Sequence, residues 1–286
     1  DVYKRQLIPP SINLIIYGLL TDSSVPELYL AGIFPGLMLA GLFMAVIVIA
    51  CLRNPKWGGD KVETSWAERI RVLPDLLPPI LLFVAVVGSI YAGVATPTEA
   101  ASIGVVFALI IAAWNRALNI SMLLEAFEGT MKSTATIMLI ILAAVFLNFV
   151  LGFMGITQAI LGAIEALGLT PMQTMLVIVV FYLLLGMFME THSMMLTTIP
   201  VVFPIVIHMG FDPIWFGIMI IVLMEAALIT PPIGINLYVV HGIRQRGGNF
   251  NDVSVGAVPF VIAMLVMIAL LLIFPGLATW LPGLFY

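Results

Sequence analysis

Apolar residues in this chain run in long unbroken stretches. Residues 28–52, 76–98, 100–115, 133–164, 166–189, 191–211 and 253–286 contain no Asp, Glu, Lys or Arg, and 213–243 contains only Glu225. A helix that crosses a membrane needs about 20 mostly apolar residues, so these eight stretches predict repeated membrane crossings. Strands of a membrane barrel would be short and would alternate apolar with polar positions. Runs such as AVIVIA and LVMIALLLIF do not alternate. The expected fold class is therefore all-α, a polytopic membrane protein with inverted repeats, a re-entrant hairpin and two helices broken at Pro-Pro pairs.

Polar positions set the expected topology. The loop 53–75 carries Arg53, Lys56, Lys61, Arg69 and Arg71, which places it on the cytoplasmic side. Residues 119–132 put Leu123, Phe127 and Met131 on one face with Glu125 and Glu128 elsewhere, and read as an interfacial helix. The loop around Arg244 and Arg246 is basic and expected inside, whereas 21–27 carries only acid and is expected outside. Four regions follow: 1–27, the remnant of a first repeat with a broken helix; 28–132, scaffold-type spans; 133–252, a second repeat with a hairpin at 166–211 and a broken helix at 213–243; and 253–286, a last span. The second break is preceded by a span and a hairpin, the first by only a few residues, so an N-terminal truncation is expected. Lys4-Arg5-Gln6 just before an apolar break reads as part of that scar.

Composition agrees with the pattern: 62% of residues are hydrophobic and 9% charged, against about 45–50% and about 25% in soluble domains. A net charge of −4 argues against a nucleic-acid partner. The single Cys51 excludes a disulfide framework. No P-loop or GxSxG motif is present, and His192 and His208 do not form a metal spacing such as HExxH. The protein is expected not to be an enzyme.

The most informative feature occurs twice. Pro9-Pro10-Ser11-Ile12-Asn13 and Thr230-Pro231-Pro232-Ile233-Gly234-Ile235-Asn236 each interrupt an apolar segment. Proline removes a backbone donor and pushes the residue before it out of the helical region. Carbonyls freed inside a membrane are tolerated only where they line a protected cavity or meet an ion. Broken helices in matching positions of two halves point to a transporter's binding site, where carbonyl ends suit Na⁺ and helix N-termini suit an anionic group. The exits are expected on opposite sides of the membrane.

Three acids lie at membrane depth, and each is a functional candidate by default. Glu99, in ATPTEA, reads either as part of a helix cap involving Thr96 or Thr98 or as an ion contact. Glu190, followed by Thr191, His192 and Ser193, sits between two apolar arms and reads as a hairpin apex. Glu225, one turn before the second break, reads as a partner for a cation or for His241, or as a neutral hydrogen-bonded acid.

The runs LIPPSINLIIYG, GVATPTEAA, LLLGMFMETHSMMLTTIPVVFPI and ALITPPIGINLYV together resemble the large membrane subunit of tripartite ATP-independent periplasmic (TRAP) transporters. The resemblance implies a multi-pass protein of a bacterial or archaeal inner membrane. Its implied partners are the lipid bilayer, a small four-helix membrane subunit and a periplasmic substrate-binding protein. Its implied activity is uptake of an organic anion, such as a dicarboxylate or sialic acid, driven by Na⁺ through an elevator motion. The implied Na⁺ candidates are Pro9, Pro10, Ser11, Glu190, Thr230, Pro231, Pro232, Gly234 and Asn236. Ser11, Asn13, Glu190, Thr191, Ser193 and Asn236 are the substrate candidates. The family often carries Asp at the apex, where this chain has the longer Glu190. No cofactor other than the coupling Na⁺ is expected. A passive channel, a structural membrane subunit or an intramembrane enzyme using Glu190 and His192 are the rival readings.

Overall fold

The computed structural model describes residues 11–55, 65–66, 70, 73–243 and 249–285. Pro9, Pro10, Lys56, Lys61, Arg69, Arg71, Arg244 and Arg246 lie outside the described residues. Among those described, regular structure is helical throughout. The helices are α1 (Ile12–Thr21), α2 (Val25–Arg53), α3 (Leu77–Tyr91), α4 (Pro97–Trp114), α5 (Ile120–Phe153) and α6 (Ile156–Ala166). They continue with α7 (Pro171–Leu185), α8 (Thr191–His208), α9 (Pro213–Leu228), α10 (Ile235–Gly242), α11 (Phe250–Ile273) and α12 (Gly276–Thr279). Five of them (α2, α4, α5, α8 and α11) are long and apolar enough to cross a membrane.

The chain divides into two units. One comprises residues 50–139, the other 1–49 with 140–286. In the first, α3 and α4 form a hairpin. Gly93, at φ +68°, makes the turn, and Val94 and Ala95 donate to the Ser89 carbonyl. Gly104 lets the arms close, since a Cβ there would stand 3.0 Å from Val86.

The second unit is built around α9. All of Ile214–Leu228 is buried, and α1, α7, α8, α10, α11 and α12 pack against it. An all-round apolar helix is stable only when neighbours cover every side. Tyr17 on α1 fixes one of these contacts. Its ring meets Phe203 and Phe216 edge-on, and its hydroxyl donates to the Pro213 carbonyl at 2.7 Å. Gly217 leaves the notch that the ring occupies: a Cβ there would be 2.6 Å from Tyr17 Cε1 and 2.8 Å from Leu28.

Helix directions can be read from three contacts. The Trp215 indole, in the first turn of α9, donates to the Leu271 carbonyl near the end of α11 at 2.9 Å, so these helices are antiparallel. The Tyr17–Pro213 bond places the exit of α1 at the end where α9 begins. The rings of Tyr238 and His241 on α10 lie 4.4 and 5.9 Å from Phe250, the first residue of α11. Phe250 and Leu271 are about 32 Å apart along the helix axis. The half-helices α1 and α10 therefore leave the core at opposite ends.

One boundary differs from the sequence expectation. Residues 120–132 do not form a helix of their own; they are the first turns of the 34-residue α5. An i,i+4 pair between Glu128 and Lys132, at 2.6 Å, sits on its exposed surface, so charges suggesting a separate interfacial element lie on a continuous one. Helix α1 runs to Thr21, where Asp22 takes a left-handed conformation and its N–H donates to the Gly18 carbonyl. Gly18 serves close packing, since a Cβ there would be 2.8 Å from Val25.

In the full-length protein, Gly217→Ala should lower stability by about 1–3 kcal/mol through overpacking. Gly41→Ala on α2, where nothing lies within 4 Å of an added Cβ, should not. Thermal unfolding in detergent compares the two, and equal midpoints would contradict the notch.

Candidate functional site

Helices α7 and α8 are the two arms of the expected hairpin, joined by residues 186–190. A capping box opens α7, with Gln173 NH donating to Thr170 Oγ1 at 3.3 Å and Thr170 NH to Gln173 Oε1 at 2.9 Å. The arms are tied by a 2.6 Å hydrogen bond between the Tyr182 hydroxyl and Thr198 Oγ1. Glu190 caps α8: its carboxylate accepts from the backbone N–H of His192 at 3.1 Å and of Ser193 at 3.2 Å, and pairs with the His192 ring at Nδ1. A carboxylate at a helix N-terminus faces the positive end of the dipole. Thr191, beside it, is 1% exposed, and its hydroxyl has no hydrogen-bond partner among the described residues.

The second break is as sharp as its prolines require. Helix α9 ends at Leu228 and α10 starts at Ile235. Thr230 turns back on α9, its N–H donating to Ala227 at 3.1 Å and its hydroxyl to the Ala226 carbonyl at 2.7 Å. The Pro231–Pro232 peptide is cis. Gly234 follows at φ +40°, where a Cβ would lie 3.0 Å from the Leu228 carbonyl oxygen and 3.1 Å from that of Thr230. Two backbone oxygens thus crowd the same point above Gly234, and only glycine leaves room for them. Asn236 is half-buried in the first turn of α10.

The hairpin apex and this break meet. A Cβ on Gly186 would fall 2.4 Å from Ala227 Cβ, so the end of α7 lies directly on the end of α9. Of the first break, Ser11 and Asn13 are described, at 0% and 2% exposure. Ser11 immediately precedes α1 and Asn13 lies in its first turn, and α1 packs on α8 and α9. Thus Ser11, Asn13, Glu190, Thr191, Ser193, Thr230, Pro231, Pro232, Gly234 and Asn236 share one unit with Glu225.

Glu99 lies outside the unit that holds these residues. It belongs to the unit of residues 50–139 and completes the capping box of α4, accepting from Thr96 N–H at 2.8 Å while Thr96 Oγ1 accepts from Glu99 N–H at 3.4 Å. The cap, one of its two sequence readings, is present. No hydrogen bond joins Glu225 to His241; both Glu225 oxygens lack a hydrogen-bond partner among the described residues. Sequence reasoning missed Gly186 and the Tyr182–Thr198 clip. A glycine at the end of an apolar run carries no signal of what will pack on it, and the clip joins residues 16 positions apart.

The arrangement offers oxygens rather than nitrogen or sulfur ligands. No cluster of three His, Cys, Asp or Glu suited to a transition metal occurs among the described residues. Carbonyl oxygens, buried hydroxyls and a helix N-terminus can instead receive a hard monovalent cation and an anionic group.

If the apex is seated on the break, Gly186→Ala should disrupt the fit, and Gly186→Ala with Ala227→Gly should restore it. A double-mutant cycle on unfolding temperature should show a favourable coupling of about 0.5–3 kcal/mol; simple additivity would refute the contact.

Comparison with known proteins agrees with the motifs. Residues 5–277 match the family described as "Tripartite ATP-independent periplasmic transporter, DctM component". The C4-dicarboxylate TRAP transporter large permease protein DctM of Rhodobacter capsulatus is 34% identical over 294 residues, covering 97% of this chain and 66% of the relative. The ectoine/5-hydroxyectoine large permease protein UehC of Ruegeria pomeroyi is 33% identical, covering 97% of this chain and 64% of its own length. The sialic acid large permease protein SiaM of Vibrio cholerae is 29% identical, covering 98% and 65%. The chain spans slightly less than two thirds of the length of these relatives. Helices spanning a membrane, a hairpin resting on a proline-broken helix and a match across nearly the whole sequence place this chain in the DctM family of tripartite ATP-independent periplasmic transporters.

Proposed function

We propose that this chain belongs to the membrane subunit of a Na⁺-coupled secondary transporter that imports an organic anion. The seating of the hairpin apex on the second break carries the reading. It gathers the Leu228 and Thr230 carbonyls, the Thr191 hydroxyl and the Glu190 cap at one end of α9. Relatives named for C4-dicarboxylate, ectoine and sialic acid transport support a small polar solute as cargo. A carboxylate-bearing substrate fits best, because two or more Na⁺ would offset its charge.

The same arrangement explains how a gradient is used. Moving one net positive charge inward through the membrane potential supplies about 2.3 kcal/mol per 100 mV. Na⁺ held by backbone oxygens of the break and by Thr191 favours the apex closed over the substrate, so cation and anion bind together. In this reading the residues that hold Na⁺ are Thr191, Thr230, Gly234 and Asn236, with Ser11 and Asn13 joining from α1 and the carbonyls at Pro231 and Pro232 lining the approach. Glu190 holds the apex in register and faces the cation. A periplasmic binding protein delivers the substrate, a small four-helix subunit buttresses the permease in the inner membrane, and an elevator motion carries the site across.

Liposomes holding the complete complex should accumulate substrate only with the binding protein and an inward Na⁺ gradient. Accumulation without Na⁺ would overturn the coupling, and conductance without the binding protein would indicate a channel. Thr191→Val, which removes one buried oxygen and keeps the shape, should raise the Na⁺ concentration for half-maximal uptake about tenfold, equivalent to about 1.4 kcal/mol. An unchanged Na⁺ dependence would remove Thr191 from the site.

A further inference from the structure

Tyr182 joins three helices from a single position on α7. It is wholly buried. Its backbone carbonyl accepts from the Gly186 N–H at 2.9 Å, and Gly186 is the residue seated on Ala227 of α9. Its hydroxyl reaches across to α8 and lies 2.6 Å from Thr198 Oγ1. Thr198 gives its own hydroxyl proton to the Met194 carbonyl at 2.7 Å, so in the Tyr182–Thr198 bond the tyrosine is the donor. Met194 lies on the apex side of Thr198. Its N–H donates to the Glu190 carbonyl at 2.9 Å, and its Cε lies 3.2 Å from where a Cβ on Gly186 would stand.

The sequence of α8 gives this tie a task. Pro200 and Pro204 lie inside the helix. Proline has no N–H, so the Leu196 and Pro200 carbonyls lack their usual helical donors. A helix missing such bonds bends more readily at that point. The turns that carry the apex, 191–199, are therefore only loosely braced by the rest of α8. Helix α7 has no proline beyond its first residue and offers an uninterrupted rod. Thr198 stands on the apex side of both prolines, where a link to that rod acts on the turns that need it. Burial of Met194, Met195, Leu196 and Ile199 holds these turns in place, but apolar packing has no direction. The hydrogen bond is what sets their register.

We propose that Tyr182 is a positioning residue for the hairpin apex: through Thr198 it holds the first turns of α8 in register with α7, and so holds Glu190, Thr191 and Ser193 over the break at the end of α9. It acts through these residues rather than on substrate or ion. The consequence for uptake rests on the transport reading above; the tie itself does not.

The test uses the complete permease. Tyr182→Phe removes the hydroxyl and keeps the ring. Hydrogen–deuterium exchange should quicken at the amides of 192–199 in this variant, while those of 172–181 keep wild-type rates. Thr198→Val should behave in the same way and serves if the Phe variant does not fold; Thr198→Ser, which keeps the hydroxyl, should match the wild type. In liposomes holding the complete complex with the binding protein, Tyr182→Phe should raise the substrate and Na⁺ concentrations for half-maximal uptake about two- to tenfold, the range that one hydrogen bond accounts for. The maximal rate should change less. Adding Tyr182→Phe to Thr198→Val should cost nothing further, because both remove the same bond. Unchanged exchange at 192–199 would overturn the proposal, as would additive effects of the two substitutions. Half-saturation concentrations that stay at wild-type values would also overturn it and leave Tyr182 a packing residue. Quickened exchange alongside wild-type uptake indifferent to Na⁺ would leave the tie standing and remove the coupling reading instead.

Discussion

The whole arrangement follows from the cost of an unpaired backbone group away from water. Inside a membrane, a helix satisfies its own N–H and C=O groups, and any interruption exposes some of them. This chain interrupts α9 after Leu228 and accommodates the break by surrounding it. Thr230 folds back to cover Ala226 and Ala227, and the hairpin apex is pressed against Ala227. The helix that carries the break is also the one most completely enclosed. Enclosure and interruption are one solution: only a helix shielded from lipid on all sides can end in mid-core.

The division between long and short helices has the same origin. The long α2 and α5 expose much apolar surface, as suits contact with lipid. The short ones, α1, α7, α9 and α10, group around the break. A half-length helix presents an end, and ends carry the partial charges that ions and carboxylates recognise. Here α8 presents an N-terminus capped by Glu190, and α9 presents a C-terminus whose carbonyls converge on Gly234.

Much of this was legible in the sequence. The spans could be read because a membrane demands continuous apolar runs, and the second break because Pro-Pro leaves a helix few options. The apex could be read because Glu190 is an acid between two apolar arms. Tertiary detail was not. Nothing in the sequence marks Gly217 as a seat for Tyr17 or Gly186 as a seat for Ala227, because a glycine that admits a neighbour looks the same as one that merely bends the chain. The continuity of α5 was not legible, since a surface ion pair at Glu128 and Lys132 resembles the polar edge of a membrane. Glu99 could be read either way from its motif, and the structure shows the capping geometry at Thr96.

The aromatic ring of Tyr17 sits in a socket that one glycine leaves open, with its hydroxyl pinned to the start of the neighbouring helix. Such a peg resists shear: α1 cannot slip along α9 unless the ring first withdraws from between Phe203 and Phe216. The segment that bears Ser11 and the segment that bears Glu225 are thus bolted into a single block. Whatever displacement this protein undergoes, these two move together.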